Sequence, residues 1–259
     1  MFPISDDNSD RHLTPLVNYV LIAINIFVFI FLQGMGNNLS FTYAFSTVPA
    51  EILSGTDIVT QGEVVRDPNT GQTFQVPGLQ PTPISVYFTL ISSMFMHGGW
   101  GHLLGNMLFL WIFGDNIENR LGHGRYLTFY LLSGILASLS HVLFTVVANQ
   151  SGMTPSLGAS GAISGVMGAY LILFPRRKVN VLLLRFIVAV PAIAALGIWI
   201  LFQIISGIGA FGMDGGGVAY AAHIGGFLAG MLLIKLFDRG QRYVDEGLSR
   251  RQDFRRRNY

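Results

Sequence analysis

The chain has 259 residues, of which 51% are hydrophobic and only 12% charged, against the roughly 25% charged residues of a soluble globular domain. That balance excludes a soluble domain and points to a membrane protein. The absence of cysteine excludes disulfides and a thiol nucleophile. Nucleic-acid binding is not expected, because the positive charge gathers in a short C-terminal tail with no recognisable fold motif behind it.

In chain order, six apolar segments approach the length needed for a ~30 Å hydrocarbon core: 16–33, 100–114, 126–148, 160–174, 180–205 and 217–237. All six read as helices, so the fold class is an all-α membrane protein. The first run has little positive charge before it and no A-x-A cleavage site after it, so it reads as a helix rather than a signal peptide. A long outer loop, 34–99, follows it. Within that loop "GEVVRDPNTGQTFQV" places two β-prone runs around a turn signal at Asp67 to Gly71, and Pro83 to Met96 reads as an interfacial helix. Segments 100–114 and 160–174 span only about 22 Å each at ~1.5 Å per residue, too short to cross alone.

Orientation follows from the sixteen Lys and Arg residues. Arg11, Arg120, Arg125, Arg176, Arg177, Lys178 and Arg185 fall on one side, as do eight more from Lys235 to Arg257; Arg66 alone lies in the 34–99 loop. Because cytoplasmic loops collect positive charge, both termini are expected in the cytoplasm. The chain then divides into a cytoplasmic N-terminal segment (1–15), a membrane domain (16–237) and a basic cytoplasmic tail (238–259) that fixes orientation and touches anionic headgroups. A multi-pass protein of a bacterial-type plasma membrane is the expected location. No oligomeric state is read from the sequence.

Polar residues inside a membrane are costly and face a cavity or a partner. Counting back from Asp115, Pro175 and Lys235 at ~1.5 Å per residue puts His102, Ser160 and His223 at about 20, 22 and 18 Å, with Asn106 near ~14 Å. Three helices thus deliver Ser, His and His to one level. A serine needs an adjacent base, and histidine suits that task near neutral pH. Ser160 is therefore the candidate nucleophile and His223 the candidate base. His102 and Asn106, spaced i and i+4, share a helix face and can donate to an oxyanion, together with the backbone N–H groups of Ser160 and Ala159. No acidic residue lies at that depth, so a Ser-His dyad is expected rather than a triad. Gly158, Gly161, Gly165 and Gly168 form a smooth stripe, matched by Ala222, Gly226 and Gly230, that allows two helices to approach closely. Ser164 is read as a packing residue, and His97, His123 and His141 receive no catalytic role.

These residues fall in "HGGWGHLLGNM" (97–107), "ENRLG" (118–122), "GASGAISGVMGAYL" (158–171) and "AAHIGGFLAG" (221–230). With the six-helix layout they resemble the rhomboid intramembrane serine proteases over about residues 84–237. The resemblance implies a six-transmembrane-helix bundle and a Ser160–His223 dyad, with His102 and Asn106 at the oxyanion hole and Gly158 in the supporting loop. It also implies an outward-opening wet cavity, transmembrane protein substrates in the lipid bilayer, and no metal or other cofactor. One departure is visible: the family's Trp-Arg pair has no match in 34–84, where Arg66 follows Val65. The alternatives are a non-catalytic rhomboid-like protein that binds or escorts membrane clients, which would typically lack the serine or histidine, and a small-solute channel, which would need polar residues in the inner half. Zinc and aspartyl intramembrane chemistry are excluded by the lack of H-E-x-x-H and of paired membrane aspartates.

Overall fold

A computed structural model describes residues 2–66, 71, 73–209 and 220–238. The expected Gly-rich loop around Asp214 and the tail beyond Asp238 lie outside the described residues. Strand β1 (Phe2–Asp6) precedes helix α1 (Leu16–Phe27), which runs on through a π turn, Val28–Leu32. Two short helices, α2 (Leu39–Ala44) and α3 (Pro49–Ser54), then lead to an antiparallel hairpin of β2 (Glu63–Arg66) and β3 (Thr73–Val76). The two strands lie on either side of the turn signal, whose residues 67–70 lie outside the described residues. Helix α4 (Thr89–Ser92) sits between two single 3-10 turns, Val86–Phe88 and Ser93–Phe95, so Pro83 to Met96 is a broken helix rather than a continuous one.

Each boundary has a local cause. Asn38 caps α2 by accepting the Phe41 N–H at 3.1 Å. Pro49 opens α3 with its φ already helical, and Gly55 closes it in the left-handed conformation at φ 69°.

The remaining helices are α5 (Trp100–Leu121), α6 (His123–Val147) and α7 (Ser160–Leu173), followed after the strands β4 (Lys178–Leu183) and β5 (Phe186–Pro191) by α8 (Ala192–Gly209) and α9 (Tyr220–Phe237). Among the described residues α6, α8 and α9 are long and apolar enough to cross a membrane. Leu16–Leu32 and Ser160–Leu173 are shorter apolar helices.

Two expectations are corrected. Helix α5 does not end at Asp115; its 22 residues run from Trp100 to Leu121, and Asp115, Asn116 and Glu118 inside it are buried with partners. Glu118 accepts the N–H groups of Val17 (2.9 Å) and Asn18 (2.7 Å), placing a carboxylate at the N-terminus of α1, where the helix dipole favours it. Arg11 pairs with Asp115 at 2.7 Å. The count that ran back from Asp115 therefore starts inside α5 rather than at its end.

The second correction concerns 180–205, which is not one helix. Residues 178–191 fold as a β4–β5 hairpin, and β1 adds to it antiparallel, giving the order β1-β4-β5. The chain is mostly helical but not all-α. An apolar run rich in Val, Leu and Ile fits a strand as well as a helix, and periodicity alone does not separate them. Segment 1–15 is likewise structured: Asp6 accepts from Tyr170 Oη (2.6 Å) and Asn116 Nδ2 (2.8 Å), and Arg177 bonds both Asn116 and Asp10.

The core surrounds α7, whose residues Gly161 to Tyr170 are all buried. At ~1.5 Å per residue α7 is about 21 Å long beside an α6 of about 37 Å, so its N-terminus stops well short of the end of its neighbour. Small residues make the fit possible. A Cβ on Gly226 would collide with the Gly161 carbonyl, and one on Gly230 with that of Gly165, so α7 and α9 touch backbone to backbone. A Cβ on Gly161 would meet Ala137 of α6 at 2.7 Å, so this glycine serves the α6–α7 contact before the α7–α9 one.

Candidate active site

The loop before α7 sets the position of Ser160. Thr47 and Ser156 form an isolated antiparallel bridge, and the Gly158 N–H donates to Ser93 O at 2.8 Å. Gly158 adopts φ +122°, and a Cβ there would lie 2.7 Å from His102 Nε2. Only glycine satisfies both conditions at low cost. Ala159 is fully buried at the N-cap, and Ser160 is the first residue of the helix, which points its N–H away from the intrahelical ladder.

The short α7–α9 separation brings the two candidate groups together: His223 Nε2 lies 2.8 Å from Ser160 Oγ. The other ring nitrogen, Nδ1, lies 2.8 Å from Gln203 Oε1 on α8. Trp199, one turn earlier on α8, sits against the imidazole with ring centroids 6.0 Å apart. Sequence reasoning missed Gln203. It sought an acidic third member and did not weigh this amide, although a polar side chain in an apolar helix is itself a signal.

On α5, exposed His102 and buried Asn106 stand on the same face. His102 lies over the turn at Gly158, where an added Cβ would also lie 3.6 Å from Ser160 Oγ. Asn106 Nδ2 is 3.0 Å from Nε2 of His97, and the His97 and His102 rings meet edge to face at 5.2 Å. His97 thus belongs to this cluster, although the sequence reading set it aside. Its backbone is fixed by Gln33, whose Oε1 accepts the His97 N–H (2.9 Å) and whose Nε2 donates to the His97 carbonyl (2.9 Å). Ser164 donates to Ser160 O at 2.6 Å, a packing role within α7. His123 pairs with Glu118 at the far end of α5.

A cavity of about 790 Å³ is lined by His97, His102, Ser140, His141, Ser156 and Tyr220 among others; it reaches the site from the side of His97 and His102, and Ser160 and His223 are not among its lining residues. Its walls are mostly apolar with a few convergent polar groups, the usual make-up of a ligand site. Among the described residues no group of three or more His, Cys, Asp or Glu stands where it could hold a metal ion. The arrangement can activate a hydroxyl and stabilise an adjacent oxyanion, the two requirements of acyl transfer.

Residues 85–239 match the family model described as the Rhomboid domain. Among curated proteins, the chain is 36% identical over 156 residues to Rhomboid protein 1, mitochondrial, of Saccharomyces cerevisiae, covering 60% of this chain and 43% of that protein. It is 29% identical over 217 residues to Rhomboid protease GluP of Bacillus subtilis, covering 83% of this chain and 34% of that one. A third similar protein is Presenilin-associated rhomboid-like protein A, mitochondrial, of Danio rerio, with 32% identity over 156 residues. In these alignments the chain spans less than half the length of the curated relatives it matches.

Proposed function

The chain belongs to the rhomboid family, whose domain covers more than half of its 259 residues, and on that premise we propose that it is an intramembrane serine endopeptidase. It hydrolyses peptide bonds in or near transmembrane segments of membrane-protein substrates. One observation carries this reading: the 2.8 Å contact between His223 Nε2 and Ser160 Oγ, a nucleophile and base in hydrogen-bonding reach, beside a cavity large enough to admit a peptide strand and water.

In the proposed reaction Ser160 Oγ attacks the scissile carbonyl carbon while its proton passes to His223 Nε2. The carbonyl oxygen becomes the oxyanion, held by the Ser160 N–H, His102 and the amide hydrogen of Asn106 that His97 does not take. The C–N bond breaks as His223 returns the proton to the leaving amine, and water then hydrolyses the acyl-enzyme by the same steps in reverse order. Gly158 and Gly161 keep the turn and helix contact that place Ser160, and the Ala159 N–H adds to the oxyanion side. No step calls on a metal or other cofactor.

The membrane arrangement is part of the proposal. It comprises a six-span bundle over 16–237, with 34–99 on the outside, both termini in the cytoplasm and a bacterial-type plasma membrane as the location. The distribution of Lys and Arg supports that orientation. The three relatives named above are two mitochondrial proteins and one from a bacterium.

A fluorophosphonate probe tests the reading. The purified protein is expected to label, and Ser160→Ala and His223→Ala not to, with each variant keeping its melting temperature in detergent. Labelling of Ser160→Ala would overturn the assignment and leave the non-catalytic client-binding alternative.

A further inference from the structure

We propose that Gln203 on α8 is the positioning residue of the catalytic base: it fixes the tautomer and plane of His223, making the site a Ser160–His223–Gln203 relay with a neutral third member. This deepens the protease reading and rests on it.

A neutral imidazole carries one N–H, and only the bare nitrogen can accept a proton from serine. His223 can act as base toward Ser160 solely when Nε2 is bare, hence when the hydrogen is on Nδ1. An atom that accepts at Nδ1 selects that form; one that donates there selects the useless one. Gln203 presents its carbonyl oxygen, Oε1, at 2.8 Å from Nδ1, so it accepts. Gln203 is only 7% exposed, which shields the bond from competing water and makes an unpaired partner costly.

The bond also sets orientation. The imidazole is held at both nitrogens, by Ser160 on α7 and Gln203 on α8, while Trp199 covers one face. The other titratable groups facing it are His102 on α5 and His141 on α6; both are imidazoles, and neither supplies an acceptor to Nδ1. An amide suits this place better than a carboxylate in one respect. It selects the tautomer without requiring a buried negative charge, which would need its own partner in an apolar helix.

The chemical step whose rate this governs is balanced without any further group. The Ser160 Oγ bond to the electrophile forms, the proton moves to His223 Nε2, and the Nδ1 proton stays on His223, donated to Gln203 Oε1 throughout. Imidazolium then has both N–H groups paired.

The test measures fluorophosphonate inactivation, in which the Ser160 Oγ–P bond forms and fluoride leaves, as a function of probe concentration. This separates the saturating rate, kinact, from the half-saturating concentration, KI. Gln203→Leu removes the acceptor at similar volume and is expected to lower kinact roughly 10- to 100-fold, the worth of one buried hydrogen bond to the base, with KI changed less than about twofold. Gln203→Glu restores an acceptor oxygen and is expected to recover kinact to within a few-fold of the parent, a rescue that a purely structural role would not give. Should Gln203→Leu fail to fold, Gln203→Met carries the same expectation. Parent-like kinact in the folded Leu or Met variant, a loss confined to KI, or a Glu variant no better than Leu would overturn the proposal. If Ser160→Ala still labels, the protease reading falls and this one with it. If Ser160→Ala is silent and Gln203→Leu labels normally, only the role of Gln203 falls.

Discussion

Gly158 decides how closely His102 can approach the turn before Ser160. Its φ of +122° is strained for any L side chain, and an added methyl would press on His102 Nε2 at 2.7 Å. Gly158→Ala is therefore expected to cost about 1–2 kcal/mol of backbone strain and to displace His102, the proposed oxyanion donor. The expected outcome is a labelling rate at least tenfold lower with a modest fall in melting temperature, measured on one preparation. Asn106→Ala should be cleaner, because the side chain donates without shaping the backbone. One oxyanion donor is typically worth roughly 10²–10³ in rate, and the loss should appear in kcat on a transmembrane peptide substrate rather than in folding. At this scale the sequence was most legible. Ser160, His223, His102 and Asn106 stand out because polar side chains in apolar segments need a reason. His97 and Gln203 were not legible. His97 precedes the helix that carries His102 and Asn106, so helical spacing does not place it with them, and Gln203 lies on a segment whose first twelve assigned residues are a hairpin.

Between elements, backbone contact matters more than side-chain volume. The α7–α9 interface is made where glycines let one helix rest on the carbonyls of the other, and it holds Ser160 and His223 at 2.8 Å. Gly226→Leu drives a side chain into the Gly161 carbonyl, which cannot step aside as a rotamer can. Overpacking commonly costs ~1–3 kcal/mol, and a backbone obstacle puts this case at the upper end. Its melting temperature in detergent should fall by several degrees together with loss of labelling; an unchanged melting curve would contradict the packing account. The small-residue stripe is visible in the sequence because its spacing of three and four is helical. The β4–β5 hairpin is not, because Val179, Val181, Ile187, Val188 and Val190 belong to a run as apolar as a membrane helix. The marks that separate the two are Asn180 and Arg185, polar residues inside the apolar run, and Pro191, which closes it.

Across the whole molecule, the sheet ties β1 to the end of α5 and the end of α7 through Asp6. Burial pushes the Asp6 carboxyl up from 3.8 to about 7, only partly offset by its hydrogen bond from Tyr170. A carboxyl with a raised folded-state pKa contributes stability that is complete below about pH 4 and is lost as pH climbs to 7, since the unfolded chain releases the proton first. The melting temperature should therefore decline from pH 4 to pH 7 by an amount that Asp6→Asn removes, read from melting curves of both proteins across that range. A parent and variant with parallel pH profiles would rule out Asp6 as the cause. Membrane character, the helical majority and the family were legible from composition and motifs. The N-terminal sheet was not, because its pairing joins residues far apart in the chain and leaves no local pattern.

That long reach has a consequence for assembly. Ser5 on β1 meets Asn180 across 175 positions of chain, and contacts of such separation form late because the intervening loop must close first. During synthesis β1 emerges early and waits, without its strand partner, until β4 has left the ribosome. Its zipping onto β4 would then be a late report that the helices between them have found their places, and a nascent chain halted before Lys178 should leave β1 open to protease.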